Sequence, residues 1–267
     1  MLRVPSGAVE EVLDRLLPVV PGGVREIPRG DEVELRMRGA ELPPLRELAR
    51  VAGVGRRSIT EHEVSEDWRL RRRHDYEPLV IGGRLVVRPE WAPATGEGLS
   101  PALIEIVLEE SVAFGGGTHP TTRACLEVLL ELAPQGAFAD LGCGTGVLAI
   151  LAAKLGWAPV SAFDLRPGSI AVTRSNAERN GVALASAVAD LSIQAMPICD
   201  GFAANVPSSV HGAIAAGLPP ARRRIGLLSG FGPAETPSVL AGYGAQGMSA
   251  RRVIERDDWT IVLVERE

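Results

Sequence analysis

Phe138-Ala139-Asp140-Leu141 is a short apolar run that enters Gly142-Cys143-Gly144-Thr145-Gly146, and Val147 to Leu155 after it reads as a buried helix. A strand, a turn with glycine at alternate positions and a helix open a βαβ unit, which directs the chain toward an open α/β sheet. In such sheets ligands sit beyond the carboxyl ends of the strands, and a glycine-rich turn marks where backbone approaches one closely. The spacing G-x-G-x-G is one residue tighter than the dinucleotide pattern G-x-G-x-x-G, which makes a pyrophosphate grip the weaker reading. The next apolar run, Val160 to Phe163, ends at Asp164. A carboxylate there can accept hydrogen bonds from both hydroxyls of a ribose, and the helix N-terminus after Gly146 suits the carboxylate of an amino acid. These features point to S-adenosylmethionine, with Asp140, Gly142, Gly144, Gly146 and Asp164 as candidate contacts.

Composition sets the outer limits. With 267 residues and 46% hydrophobic content the chain can build one large domain and a smaller one. Met1-Leu2-Arg3-Val4-Pro5 lacks the apolar block of a secretory signal, and no run is apolar for long enough to span a membrane. A cytoplasmic protein with no membrane association is expected. Cys125, Cys143 and Cys199 are odd in number and widely spaced, and the four histidines are scattered, so neither a disulfide framework nor a metal site is expected. A formal charge of −5 argues against indiscriminate nucleic-acid binding.

Residues 1–63 read as a small α+β domain. A strand at Leu2 to Val4 precedes an amphipathic helix carrying Val9, Val12, Leu13, Leu16 and Leu17, with Ser6 as its N-cap and Pro18 as its stop. Strands Val24 to Ile27 and Val33 to Met37 flank the turn Pro28 to Asp31. A helix from Leu45 to Val51 and a strand from Ser58 to Val64 complete a β-α-β-β-α-β, ferredoxin-like order. No catalytic constellation is visible in it, which leaves partner recognition or scaffolding. Residues 64–98 read as a linker segment that holds the basic run Trp68 to His74 and a hairpin, Leu79 to Val87. The basic run could make a weak contact with ribosomal RNA, although such runs more often form a solvated helix face.

Residues 99–267 carry the chemistry. Ile104 to Leu108 reads as a strand leading into Phe114-Gly115-Gly116-Gly117-Thr118-His119-Pro120-Thr121-Thr122, a loop able to close over a ligand before a helix from Arg123 to Leu132. This loop, followed by D-L-G-C-G-T-G-V-L-A-I, resembles the PrmA family, which methylates a large-subunit ribosomal protein. Glu66-Asp67-Trp68, Ile81 to Pro89, Asn176 to Gly181, Leu228-Ser229-Gly230 and Trp259 extend the resemblance over residues 64–267.

The resemblance implies a seven-stranded, Rossmann-like class I methyltransferase sheet after the smaller ferredoxin-like domain, S-adenosylmethionine as cofactor, and a ribosomal protein as partner. It places cofactor contacts on Thr122, Gly142, Asp164 and Asn205, with Thr118 among the candidates in the loop. Asp190, after the strand Ala185 to Val188, is a candidate for the adenine amino group. Asn205 follows the strand Phe202 to Ala204, where an amide can position an incoming amine. His119 is the nearby candidate base, with capping of the helix start as its structural alternative, and His211 is read as structural or exposed.

The chain departs from the family pattern at Gly116, where a threonine is usual, at Val206-Pro207 in place of Ile-Leu, and at Pro219 to Arg224 in place of a P-G-G turn. The leading expectation is methyl transfer to lysine ε-amines, with an N-terminal α-amine as a further acceptor. A methyltransferase for another protein or a small amine, and a cofactor-binding module without catalysis, remain the alternatives.

Overall fold

The computed structural model describes residues 1–16, 19–20, 24–37, 42–61, 79–92, 103–109, 115–117, 119–221 and 223–266. Thr118 and the basic run 68–74 lie outside the described residues, as do residues 62–64. Contacts divide the chain into two compact units, Met1–Tyr76 and Glu77–Glu267.

In the first unit β1 (Leu2–Pro5), α1 (Val9–Leu16), β2 (Val24–Arg29), β3 (Glu32–Met37) and α2 (Leu45–Ala52) follow one another as the hydrophobic pattern predicts. The sheet runs β1-β3-β2 with antiparallel pairs. Leu2, Val4, Val12, Leu16, Leu35 and Leu48 are buried together beneath the two helices. Each such side chain, fully buried, contributes about 2 kcal/mol of hydrophobic stabilisation. α2 stops at Gly53 in the left-handed region, whose N–H reaches the carbonyls of Ala49 and Arg50. The strand expected at Ser58 to Val64 is reduced, among the described residues, to a single bridge from Ile59 to Leu2 after a short 3-10 turn at Arg56–Ser58. That bridge occupies the edge of β1 opposite β3, where the fourth strand of a ferredoxin-like sheet belongs.

The second unit begins with β4 (Leu79–Ile81) and β5 (Leu85–Pro89), an antiparallel hairpin inside the stretch read as a linker, which pairs in parallel with β6 (Ile104–Leu108). Its main sheet comprises β7 (Phe138–Leu141), β8 (Val160–Asp164), β9 (Ala185–Val188), β10 (Gly201–Asn205), β11 (Arg224–Phe231), β12 (Ser249–Arg256) and β13 (Trp259–Arg266). The order is β12-β13-β11-β10-β7-β8-β9, parallel from β11 to β9, with β13 antiparallel to both its neighbours. Along β7 the side chains alternate between two cores: Phe138 packs with Leu148, Ile150 and Trp157 on one face, and Ala139 and Leu141 pack with Phe202 and Ile214 on the other. The connections reverse direction at β7, so the carboxyl ends of β7, β8 and β10 surround a topological switch point.

Five helices flank this sheet among the described residues: α3 (Pro120–Leu129), α4 (Val147–Leu155), α5 (Pro167–Arg179), α6 (Ser208–Gly217) and α7 (Thr236–Ala245). α3 begins three residues before the expected Arg123, with Pro120 at its first turn, which moves Thr121 and Thr122 from loop to helix. α6 and α7 have no amphipathic signature in sequence. Their Gly/Ala faces meet closely instead, since a Cβ added at Gly242 would lie 3.5 Å from the Ala215 Cβ. No helix among the described residues is long and apolar enough to cross a membrane.

Candidate active site

The glycine turn is built by hydrogen bonds from both sides. Gly142, Gly144 and Gly146 have φ of 87°, 54° and 79°, a region that other L-residues rarely adopt. The N–H groups of Gly142 and Cys143 both donate to the Phe163 carbonyl at 2.8 and 2.9 Å, which ties the turn to the end of β8. Thr173 and Asn176 of α5 donate to the carbonyls of Gly144 and Thr145 at 3.1 and 2.9 Å. Asn176 also accepts from the Glu109 N–H at 2.8 Å, and Asn180 exchanges two bonds with Val107, so α5 stitches the β6 segment to the turn. These roles of Asn176, Thr173 and Thr145 leave no signature in single-residue spacing.

The expected acids divide by function. Asp164 accepts from Gly144 N–H at 3.0 Å on one oxygen and from Arg166 N–H at 2.9 Å on the other, and each oxygen keeps a further lone pair for a ribose hydroxyl. Beside it, Leu165 and the cross-strand Val188 are 63% and 50% exposed, apolar surface that suits a flat heterocycle. Asp140, by contrast, is buried and accepts from the Ala149 N–H in the first turn of α4 at 3.0 Å. Burial, partly offset by that N–H, pushes its carboxyl up to about 7, with Asp164 adding to the rise. Its position supports the turn from beneath. Asp190 closes its own loop by accepting from the N–H and hydroxyl of Ser192, which hold its carboxyl below the ordinary value. Cys143 lies against the Thr173 hydroxyl at 3.3 Å and fills the turn.

Asn205, at the end of β10, meets the start of α3. Its Nδ2 donates to the Thr121 hydroxyl at 3.2 Å, and that hydroxyl lies 2.7 Å from His119 Nδ1. His119 is the N-cap of α3, with Nδ1 accepting from the Thr121 N–H at 3.3 Å, and its ring meets Trp259 edge-on with centroids 5.3 Å apart. Burial holds the imidazole below its usual pKa. Thr121, which the sequence reading passed over, is buried at the centre of this group. The adjacent Thr122 hydroxyl is buried with no hydrogen-bond partner. Leaving such a group unsatisfied costs about 1–3 kcal/mol, and this one lies beside Thr121 at the start of α3.

Gly115, ahead of α3, is anchored to the turn, because the Thr145 hydroxyl donates to its carbonyl at 2.8 Å. Gly116 faces open space, so the departure from the family pattern relieves no crowding. His211 is wholly buried, with Nε2 3.0 Å from the Ser229 carbonyl and Nδ1 3.0 Å from the Tyr243 hydroxyl, a structural residue. No cluster of His, Cys, Asp or Glu among the described residues could hold a metal ion.

The residues present therefore fit an S-adenosyl group: a glycine cradle, a ribose acid with free lone pairs, exposed apolar walls and an unsatisfied hydroxyl converge on one strand edge. Sheet and site together define a class I methyltransferase. The family described as ribosomal protein L11 methyltransferase (PrmA) matches residues 46–267. A ribosomal protein L11 methyltransferase of Geobacter metallireducens is 28% identical, covering 98% of this chain and 96% of the relative. Another, of Pectobacterium atrosepticum, is 33% identical over 80% of this chain and 72% of the relative. The chain belongs to the PrmA family. Its fold matches the crystal structure of a ribosomal protein L11 methylase from Lactobacillus delbrueckii subsp. bulgaricus, with a TM-score of 0.63 at 22% identity over 72% of this chain and all of that one.

Proposed function

We propose that the protein transfers methyl groups from S-adenosylmethionine to lysine ε-amines, and to an N-terminal α-amine, of ribosomal protein L11. Membership of the PrmA family carries the reading, and the amide of Asn205 beside a glycine cradle supports it. Bound S-adenosylmethionine supplies an electrophilic methyl group. Gly142, Gly144, Asp164 and Thr122 would hold it.

The acceptor must arrive as a neutral amine, although a free lysine has a pKa near ~10.4. Moving it from water to the partly buried end of β10 disfavours the ammonium form and releases the proton to solvent. Asn205 then accepts one N–H, which turns the nitrogen lone pair toward the methyl group. No strong base is required. The first unit, with its own core and no catalytic constellation among its described residues, is assigned to substrate recognition.

Mass spectrometry of ribosomal proteins from cells lacking the enzyme, after incubation with purified protein and S-adenosylmethionine, tests the proposal. Methyl increments on ribosomal protein L11 that vanish with Asp164→Ala are expected. Cofactor binding without a mass gain on any ribosomal protein would defeat the ribosomal assignment.

A further inference from the structure

We infer that Thr121 is a positioning residue for methyl transfer: its hydroxyl links His119 to Asn205 and fixes the Asn205 amide with its oxygen facing the acceptor. The inference rests on the proposed amine methylation and identifies the side chain that sets the geometry of that step.

The directions of the hydrogen bonds follow from one fixed donor. A backbone N–H can only donate, so the Thr121 N–H at 3.3 Å makes His119 Nδ1 an acceptor and puts the proton of the neutral ring on Nε2. The Thr121 hydroxyl, 2.7 Å from the same nitrogen, must then donate to it. Having given its single proton to the ring, that hydroxyl can only accept from Asn205, which requires Nδ2 on that side at 3.2 Å. A flipped amide would place two acceptors face to face. Asn205 Oδ1 is consequently left without a partner among the described residues, as an acceptor for an incoming N–H. The same wiring makes His119 a donor at Nε2 and removes Nδ1 as a general base. Trp259, edge-on to the ring, and Pro120, opening the helix, hold the imidazole in place.

The chain of three groups joins elements far apart in sequence, since Thr121 and Asn205 are 84 residues apart. Thr121 itself is buried, so it acts through Asn205 and does not touch the acceptor.

The full-length protein tests this with Thr121→Val, which keeps shape and removes the hydroxyl, and Thr121→Ser, which keeps the hydroxyl. In T121V, kcat for methyl transfer should fall about tenfold, the worth of one hydrogen bond, while the Kd for S-adenosylhomocysteine stays within about twofold. T121S should recover kcat to within about threefold of wild type, as it retains the same donor and acceptor. Nitrogen-15 spectra should show wild-type His119 protonated on Nε2. They should also show one Asn205 side-chain proton protected from exchange in wild type and T121S but not in T121V. Undiminished kcat in T121V, equal losses in T121S and T121V, or a proton on Nδ1 of His119 would overturn the inference. A wild-type protein that methylates no ribosomal protein defeats the functional reading and the positioning role together. Wild-type activity that T121V leaves intact defeats the positioning role alone.

Discussion

The two units bury polar groups in different ways. In the first, Glu34 is the buried polar residue among those described, and arginines surround it: Arg36 at 2.6 Å, Arg3 at 3.2 Å and Arg29 at 3.9 Å. The Arg36 guanidinium, then Arg3, holds its carboxyl below the ordinary range. In the second, Thr121, Thr122, Asp140, Thr145, Thr173 and Asn176 are buried around the glycine turn and the start of α3. A buried charge closed off by partners is satisfied in place, whereas a buried hydroxyl without a partner, such as that of Thr122, carries an uncompensated desolvation cost. The difference separates groups whose hydrogen bonds are complete, in both units, from Thr122, whose hydroxyl is not satisfied.

The largest expected effect is that of Asp164→Ala, which removes the carboxylate proposed to accept both ribose hydroxyls. Affinity for S-adenosylhomocysteine by calorimetry should drop by about 100-fold or more, with little change in unfolding. Near-normal affinity would break the comparison at its strongest point. Thr122→Val should weaken the same binding by about tenfold and leave the fold intact, since in the free protein the hydroxyl has no partner to lose.

Asp140→Ala should act through structure, costing about 2 kcal/mol in denaturant unfolding because it exposes the first turn of α4, with Asp140→Asn costing less as it can still accept from Ala149. Glu34→Gln, in the first unit, should lower stability without touching cofactor affinity.

The smallest effects are in pH, and they separate the units. Burial lowers the His211 pKa, so the unfolded chain takes up protons that the folded one refuses. Its contribution to stability is complete above about pH 6.5 and is lost as pH falls below that value. Asp140, pushed up to about 7, works in the opposite direction over part of that range. Thermal melts in an Asp140→Asn background therefore leave the joint contribution of His211 and His119, whose imidazole burial also holds low. Glu34, held low by its arginines, contributes stability above its unfolded pKa of about 4.3, and that is lost only as pH falls further, through the folded value. Two acid steps are expected, with the lower one reduced by Glu34→Gln and part of the remainder carried by Asp190.

Much of this could be read in the residues alone. The alternation of Val33 to Met37, the glycine turn and the acid at Asp164 are local patterns dictated by strand and turn geometry, and the strands they predict are present. α6 and α7 escaped because Ile214, Val239 and Tyr243 anchor helices otherwise rich in Gly and Ala, which leaves too few apolar positions to show a period. Thr121 escaped because its importance lies in a contact with Asn205, and Asp140 was grouped with the ligand contacts because sequence cannot show which way a carboxylate at a strand end points.

Val206 closes the floor of the site. A Cβ at Gly142 would overlap its side chain, and one at Gly230 would overlap its backbone, so two distant glycines are both confined by a single residue. Neither glycine can grow, and Val206 can shift toward neither. The three residues are therefore locked as a set, and a change at any one of them must be answered at the other two.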